Sequence, residues 1–121
     1  MSPGRVPAEF PHRLGPLLGH RPLRHQEPFL TAAAADWLVE RQAALVGIDS
    51  VNIDDTSGPA RPVHTALLAA GIPIVEHLCG LDQLPPSGFR FHAAPAPVVG
   101  IGTFPVRAYA VIADGRDLHV A

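Results

Sequence analysis

No lysine occurs among the 121 residues, and all nine basic side chains are arginine. We read that uniformity as the codon bias of a GC-rich genome rather than as chemistry. There is no basic excess either: the formal net charge is -2. That argues against a general nucleic-acid binder, which carries a positive surplus to neutralise phosphates. A single cysteine, Cys79, excludes an internal disulfide and suits a reducing compartment, so the chain reads as cytoplasmic. No run of ~18 apolar residues is present to span a bilayer, and the first 30 residues hold no apolar signal-peptide core. What is abundant is proline and glycine, 25 of 121 residues together. That share lies below the ~25–30% at which non-periodic chains become low-complexity, so the sequence is rich in loops but not disordered by composition. The length allows one domain, able to bury ~65% of the surface its unfolded chain exposes.

The texture changes near residue 30. Residues 1–30 hold six of the 14 prolines, four arginines against Glu9 and Glu27, and His12, His20 and His25. Proline removes donors and breaks helices, so this stretch reads as an irregular Pro/Arg-rich arm. Residues 31–121 read as the folded part. Thr31 can cap a helix through Ala32–Arg41, where the alanines favour the helix and Trp37 and Leu38 form its apolar face. Leu45–Ile48 is a short apolar run ending at Asp49, and reads as a buried strand. Residues 50–63 read as a loop. His64–Ala70 reads as a helix closed by Gly71 in the left-handed conformation. A second buried strand, Ile72–Val75, ends at Glu76. One helical turn fits Leu81–Leu84, and Phe89–Ala94 and Val106–Ile112 are later strand candidates.

Strand, helix and strand in that order make a crossover with the two strands parallel. Asp49 and Glu76 then stand at the carboxyl ends of those strands, and His64 at the start of the helix between them. Three side chains able to bind metal or move protons thus meet at the edge where open α/β sheets place ligands. Each also has an ordinary reading. Asp49 can be a turn residue bonded to its own backbone, and His64 a plain residue at a helix start. Glu76 is harder to place structurally, because a carboxylate in an apolar run needs a partner. His77 points to the opposite face and reads as structural or exposed. Cys79 reads as a small buried thiol. Arg107 reads as a surface residue, and Gly100-Ile-Gly102 lacks the third glycine and following helix of a phosphate loop.

Four blocks occur in order: Leu45-Val-Gly-Ile-Asp-Ser-Val-Asn-Ile-Asp54, Pro62-Val-His64, Leu67-Leu-Ala-Ala-Gly-Ile-Pro-Ile-Val-Glu76-His-Leu78 and Phe104-Pro-Val-Arg-Ala-Tyr-Ala-Val111. Together they resemble the cyclase family of metal-dependent hydrolases, which includes bacterial kynurenine formamidase and isatin hydrolase. The resemblance covers roughly residues 28 to 113. It implies an α/β fold, with a mixed sheet like the C-terminal half of the swivelling β/β/α cyclase-like fold. In that family a His and a Glu twelve residues apart complete a metal site, and His64 and Glu76 stand at that separation here. The resemblance therefore implies His64 and Glu76 as metal ligands, with Zn or Mn as the ion. It also implies hydrolysis of an amide or formamide, of the arylformamidase type that turns N-formylkynurenine into kynurenine in tryptophan catabolism.

The family's upstream ligand motif, His-x-Gly-Thr-His-x-Asp-x-Pro-x-His, is missing; His20 and His25 are five apart and no Gly-Thr-His occurs. The expectation is therefore a truncated hydrolase, or half of an assembly that supplies the remaining ligands. The alternative is an inactive remnant or regulatory subunit that pairs with a full-length homologue. On either reading the chain associates with itself or with a relative, and its small-molecule partner is an amide. Nucleic acid and membrane are not expected partners.

Overall fold

The structure, a computed structural model, describes residues 18–19, 27–112 and 117–120; for 18–19 and 117–119 it describes the backbone alone. The elements run β1 (Leu18–Gly19), β2 (Phe29–Leu30), α1 (Ala32–Glu40), β3 (Val46–Gly47), α2 (Pro62–Ala69) and β4 (Ile74–Val75). A 3-10 turn (Leu81–Gln83), β5 (Phe89–Ala94), β6 (Arg107–Ile112) and β7 (Asp117–His119) follow. The chain divides into two compact units, Met1–His77 and Leu78–Ala121. The α/β class is as expected, but among the described residues the strands form three small sheets instead of one mixed sheet.

In the first unit, α1 begins where the Thr31 hydroxyl accepts the Ala34 amide at 3.2 Å, satisfying one of the donors a helix start leaves open. Ala34, Ala35 and Leu38 form its buried face, and the Arg41 guanidinium lies 4.3 Å over the Trp37 ring. The helix closes in a Schellman arrangement. The Gln42 amide donates to Val39 O and the Ala43 amide to Leu38 O, with Gln42 at φ 56°. Helix α2 closes the same way: Gly71, at φ 70°, donates to Leu68 O and Ile72 to Leu67 O. Gly71 thus takes the left-handed role expected of it, which a residue with a side chain adopts at a cost.

Strands β3 and β4 pair in parallel, Val46 with Ile74 and Gly47 with Val75, as the strand–helix–strand reading requires. They are shorter than expected. Pro73 has no amide to donate; the Val46 amide donates to Pro73 O and the Ile48 amide to Val75 O. Helix α2 starts two residues earlier than expected, with Pro62 in its first turn, where the missing donor costs nothing. Leu30, Leu38, Val46, Ile48, Ile53 and Leu67 are among the buried core side chains. Among the described residues of the arm read as irregular, β1 pairs antiparallel with β2; two-residue strands are too short to show a period. His12, His20 and His25 lie outside the described residues.

The second unit is an antiparallel meander in the order β5-β6-β7. Phe89 to Ala94 pair without a break with Ile112 to Arg107, and His92 stacks on its cross-strand partner Tyr109 at 4.7 Å. Ala108, Ala110 and Val120 are buried. The Cys79 amide donates to Val120 O at 2.7 Å, while the Cys79 side chain is exposed. The expectation of a buried thiol is corrected here: this backbone bond, not the packing of the sulfur, secures the position.

The contrast between neighbouring leucines on α2 gives a direct test. Leu67→Ala, at a fully buried side chain, is expected to lower the unfolding free energy by about 2–5 kcal/mol. Leu68→Ala, 57% exposed, is expected to stay within about 0.5 kcal/mol. Urea denaturation followed by circular dichroism measures both, and equal losses would contradict the packing described.

Candidate functional site

The site is built around the loop that leaves β3 and enters α2. Small polar side chains hold its first part in a fixed path. The Ser50 hydroxyl bonds Asn52 O at 3.2 Å, and Asn52 Oδ1 accepts the Asp54 amide at 2.9 Å, turns of the kind Ser and Asn make with nearby backbone. The Ile53 side chain enters the core, and its carbonyl accepts the Leu30 amide at 2.8 Å. Fixed on both sides, the chain delivers the buried Asp54 carboxylate to the amino end of α2.

That end needs it. Arg61 occupies the N-cap position and makes no side-chain cap bond. Its guanidinium turns back on the loop and donates to Gly58 O at 2.8 Å and Ala60 O at 2.7 Å. Asp54 caps the helix from outside it instead. Oδ1 accepts the Val63 amide at 2.7 Å and Oδ2 the His64 amide at 3.1 Å. A carboxylate suits the positive end of a helix, and bonds to an ionised acceptor are stronger than neutral ones.

Oδ2 also meets His64 Nδ1 at 2.7 Å. On the far side of the ring, Nε2 lies 3.5 Å from Glu76 Oε1. Glu76 follows β4 directly, and its Oε1 accepts the Ile53 amide at 2.7 Å. The side chains of His64 and Glu76 are 29% and 24% exposed, so solutes can reach both. A 3.5 Å separation is too long for a good hydrogen bond. It matches the spacing of two donors on one tetrahedral ion, about 3.4 Å for bond lengths of about 2.0–2.1 Å.

Two of the three side chains expected at the sheet edge are therefore brought together, His64 and Glu76. Asp49 is exposed and takes no part in these contacts; the third member is Asp54. The signals for Asp54 in the sequence were its place in the loop before α2 and at the end of the first resemblance block, and neither singled it out as a site residue. Glu76 is half-buried and finds the partner its position calls for in a backbone amide. His77 is exposed at φ 59°, its amide bonded to Ser50 O, in keeping with a structural or surface role. Arg107 is exposed as expected, and Gly100 and Gly102 lie in an exposed segment. Among the described residues, no group of three or more His, Cys, Asp or Glu side chains is arranged to hold a metal ion. No described helix is long and apolar enough to cross a membrane.

Part of the chain is similar to known proteins. No family model matches the chain. A kynurenine formamidase of Sphingopyxis alaskensis is 38% identical over 64% of this chain, which is 38% of the relative's length. Kynurenine formamidases of Geobacillus thermodenitrificans and Salinibacter ruber are 33% and 36% identical over 67% and 66% of the chain, or 38% and 36% of their own lengths. The solved structure of a potential metal-dependent hydrolase with cyclase activity superposes with a TM-score of 0.58 at 34% identity, over 66% of this chain and 39% of that one. Part of the chain thus resembles the cyclase-type metal-dependent hydrolases in both sequence and fold. The chain spans less than two fifths of the length of each of these relatives.

Removing the cap tests the local architecture. Asp54→Ala is expected to destabilise the protein by about 1–3 kcal/mol, because it leaves amides at the start of α2 without an acceptor. Asp49→Ala, at an exposed position, serves as the control and is expected to change stability by less than about 0.5 kcal/mol. Equal midpoints for the two variants in chemical denaturation would contradict the cap.

Proposed function

We propose that this chain carries part of the active centre of a cyclase-family metal-dependent hydrolase, with His64 and Glu76 as two of its metal ligands. The observation that carries the proposal is the 3.5 Å approach of His64 Nε2 to Glu76 Oε1, with the opposite ring nitrogen held by Asp54. An imidazole nitrogen and a carboxylate oxygen suit Zn²⁺ or Mn²⁺. When bound, such an ion lowers the pKa of water and polarises a carbonyl oxygen. The chain's own part is to orient the two donors: the Ile53 amide holds Glu76, and Asp54 holds His64 from the start of α2.

The likeness to kynurenine formamidases directs the substrate proposal to an amide of the aryl formamide class, with N-formylkynurenine the compound to test. The same likeness supports a swivelling β/β/α architecture for the assembled domain. Two donors fall short of the three protein ligands of catalytic zinc sites, so the proposal needs further donors from beyond the described residues or from a second chain. That need supports association with another copy or with a longer relative. It also gives weight to a second reading, in which the chain is a non-catalytic subunit paired with such a relative.

The ligand assignment is tested by elemental analysis after loading with Zn²⁺ or Mn²⁺. His64→Ala and Glu76→Ala are each expected to bring metal content down to background. Retention of the full metal content by both variants would overturn the assignment. Hydrolysis of N-formylkynurenine, with the chain alone and mixed with a longer relative, separates the two readings. Metal-dependent turnover that His64→Ala abolishes supports the hydrolase; co-purification without any such turnover supports the pairing subunit.

A further inference from the structure

We propose that Asp54 is a positioning residue for the metal donor, beyond its service as a helix cap: it locks the His64 ring so that the Nε2 lone pair faces Glu76. The inference rests on the reading of His64 and Glu76 as ligands. An ionised carboxylate only accepts hydrogen bonds, so at 2.7 Å from Asp54 Oδ2 the neutral ring carries its proton on Nδ1. Nε2 is then left as the acceptor, on the side of the ring where Glu76 Oε1 lies 3.5 Å away. Neutral imidazole binds a metal through an unprotonated nitrogen, and the bond made by its other nitrogen sets which one that is.

Three features make Asp54 a rigid support. Its side chain is fully buried. Both oxygens are also held by backbone amides, of Val63 and His64, so the group cannot turn without leaving a donor unpaired. Its own amide is tied to Asn52 Oδ1 at 2.9 Å. The preceding residue, Ile53, donates its amide to Glu76 Oε1 at 2.7 Å. Two consecutive residues of one loop therefore hold the two donors, one through a side chain and one through the backbone.

The substitution that isolates the effect is Asp54→Asn. It conserves size and keeps one oxygen to accept an amide, but places an NH2 group among three donors. If that group faces Nδ1 it donates there, and the ring proton moves to Nε2, where it blocks the ligand position.

The test uses the full chain labelled with ¹⁵N. Long-range ¹H–¹⁵N correlation reports the tautomer of His64 where imidazole is neutral, and titration with Zn²⁺ alone reports affinity from the His64 signals. In the wild type His64 is expected wholly in the Nδ1–H form. In Asp54→Asn the Nε2–H form is expected to appear, and Zn²⁺ affinity to fall about 10- to 100-fold. Circular dichroism of the variant shows whether α2 remains folded, and the wild-type tautomer needs no variant at all. A wild-type His64 in the Nε2–H form or in a mixture of forms, while Zn²⁺ still shifts its signals, overturns the role of Asp54 alone. So does a folded Asp54→Asn with wild-type affinity. Zn²⁺ that leaves the wild-type His64 and Glu76 signals unmoved overturns the ligand reading and this inference with it.

Discussion

A buried carboxylate set against a helix start organises the first unit. Asp54 is almost wholly removed from water, a position that a charged group keeps only when donors surround it. It receives three: the amides of Val63 and His64 and the ring nitrogen of His64. The helix gains as much as the carboxylate does. With Arg61 turned away and Pro62 unable to donate, the first amides of α2 have no cap within their own segment. Each side of this interaction removes a cost the other would carry alone.

The placement of the site follows from that pairing together with the parallel β3–β4 unit. The crossover sends the loop after β3 and the residue after β4 to the same edge, where an α/β unit leaves room for a ligand. Ile53, anchored in the core, spans the gap between them by donating to Glu76. His64 and Glu76 thus approach each other without either being deeply buried. Part of the chain is similar to kynurenine formamidases and to a potential metal-dependent hydrolase, and it spans less than two fifths of the length of each.

Much of the local structure was legible because its causes are local. The Thr31 cap, the alanine-rich α1, the Gly71 closure of α2 and the β5 boundaries all follow from residues adjacent in sequence. Gln42 takes the left-handed position that closes α1 although nothing in its side chain announces it. The bonds returning to Val39 and Leu38 impose that conformation. The strands beside the site were overextended because an apolar run does not show where its partner stops donating, as Pro73 does. Three residues at β7 and two each at β1 and β2 are too few for periodicity to register. Cys79 was misplaced because burial was expected from the usual behaviour of a free thiol, whereas which side chain of a segment turns inward depends on its pairing.

The sequence by itself determined the parallel β-α-β unit and, through spacing and family resemblance, the candidacy of His64 and Glu76. Strand, helix and strand in that order allow few arrangements, so the edge that collects their ends is set by topology. Only the tertiary structure decided which aspartate serves that edge. Asp49 and Asp54 lie in the same loop, and Asp49 is the one directly after a strand. Burial of Ile53 and the turn closed by Asn52 carry the chain past Asp49 and bring Asp54 to the uncapped amides of α2. A choice between two identical side chains five residues apart rests on contacts made far along the chain, with Leu30, Val63 and Glu76, and no local pattern encodes it.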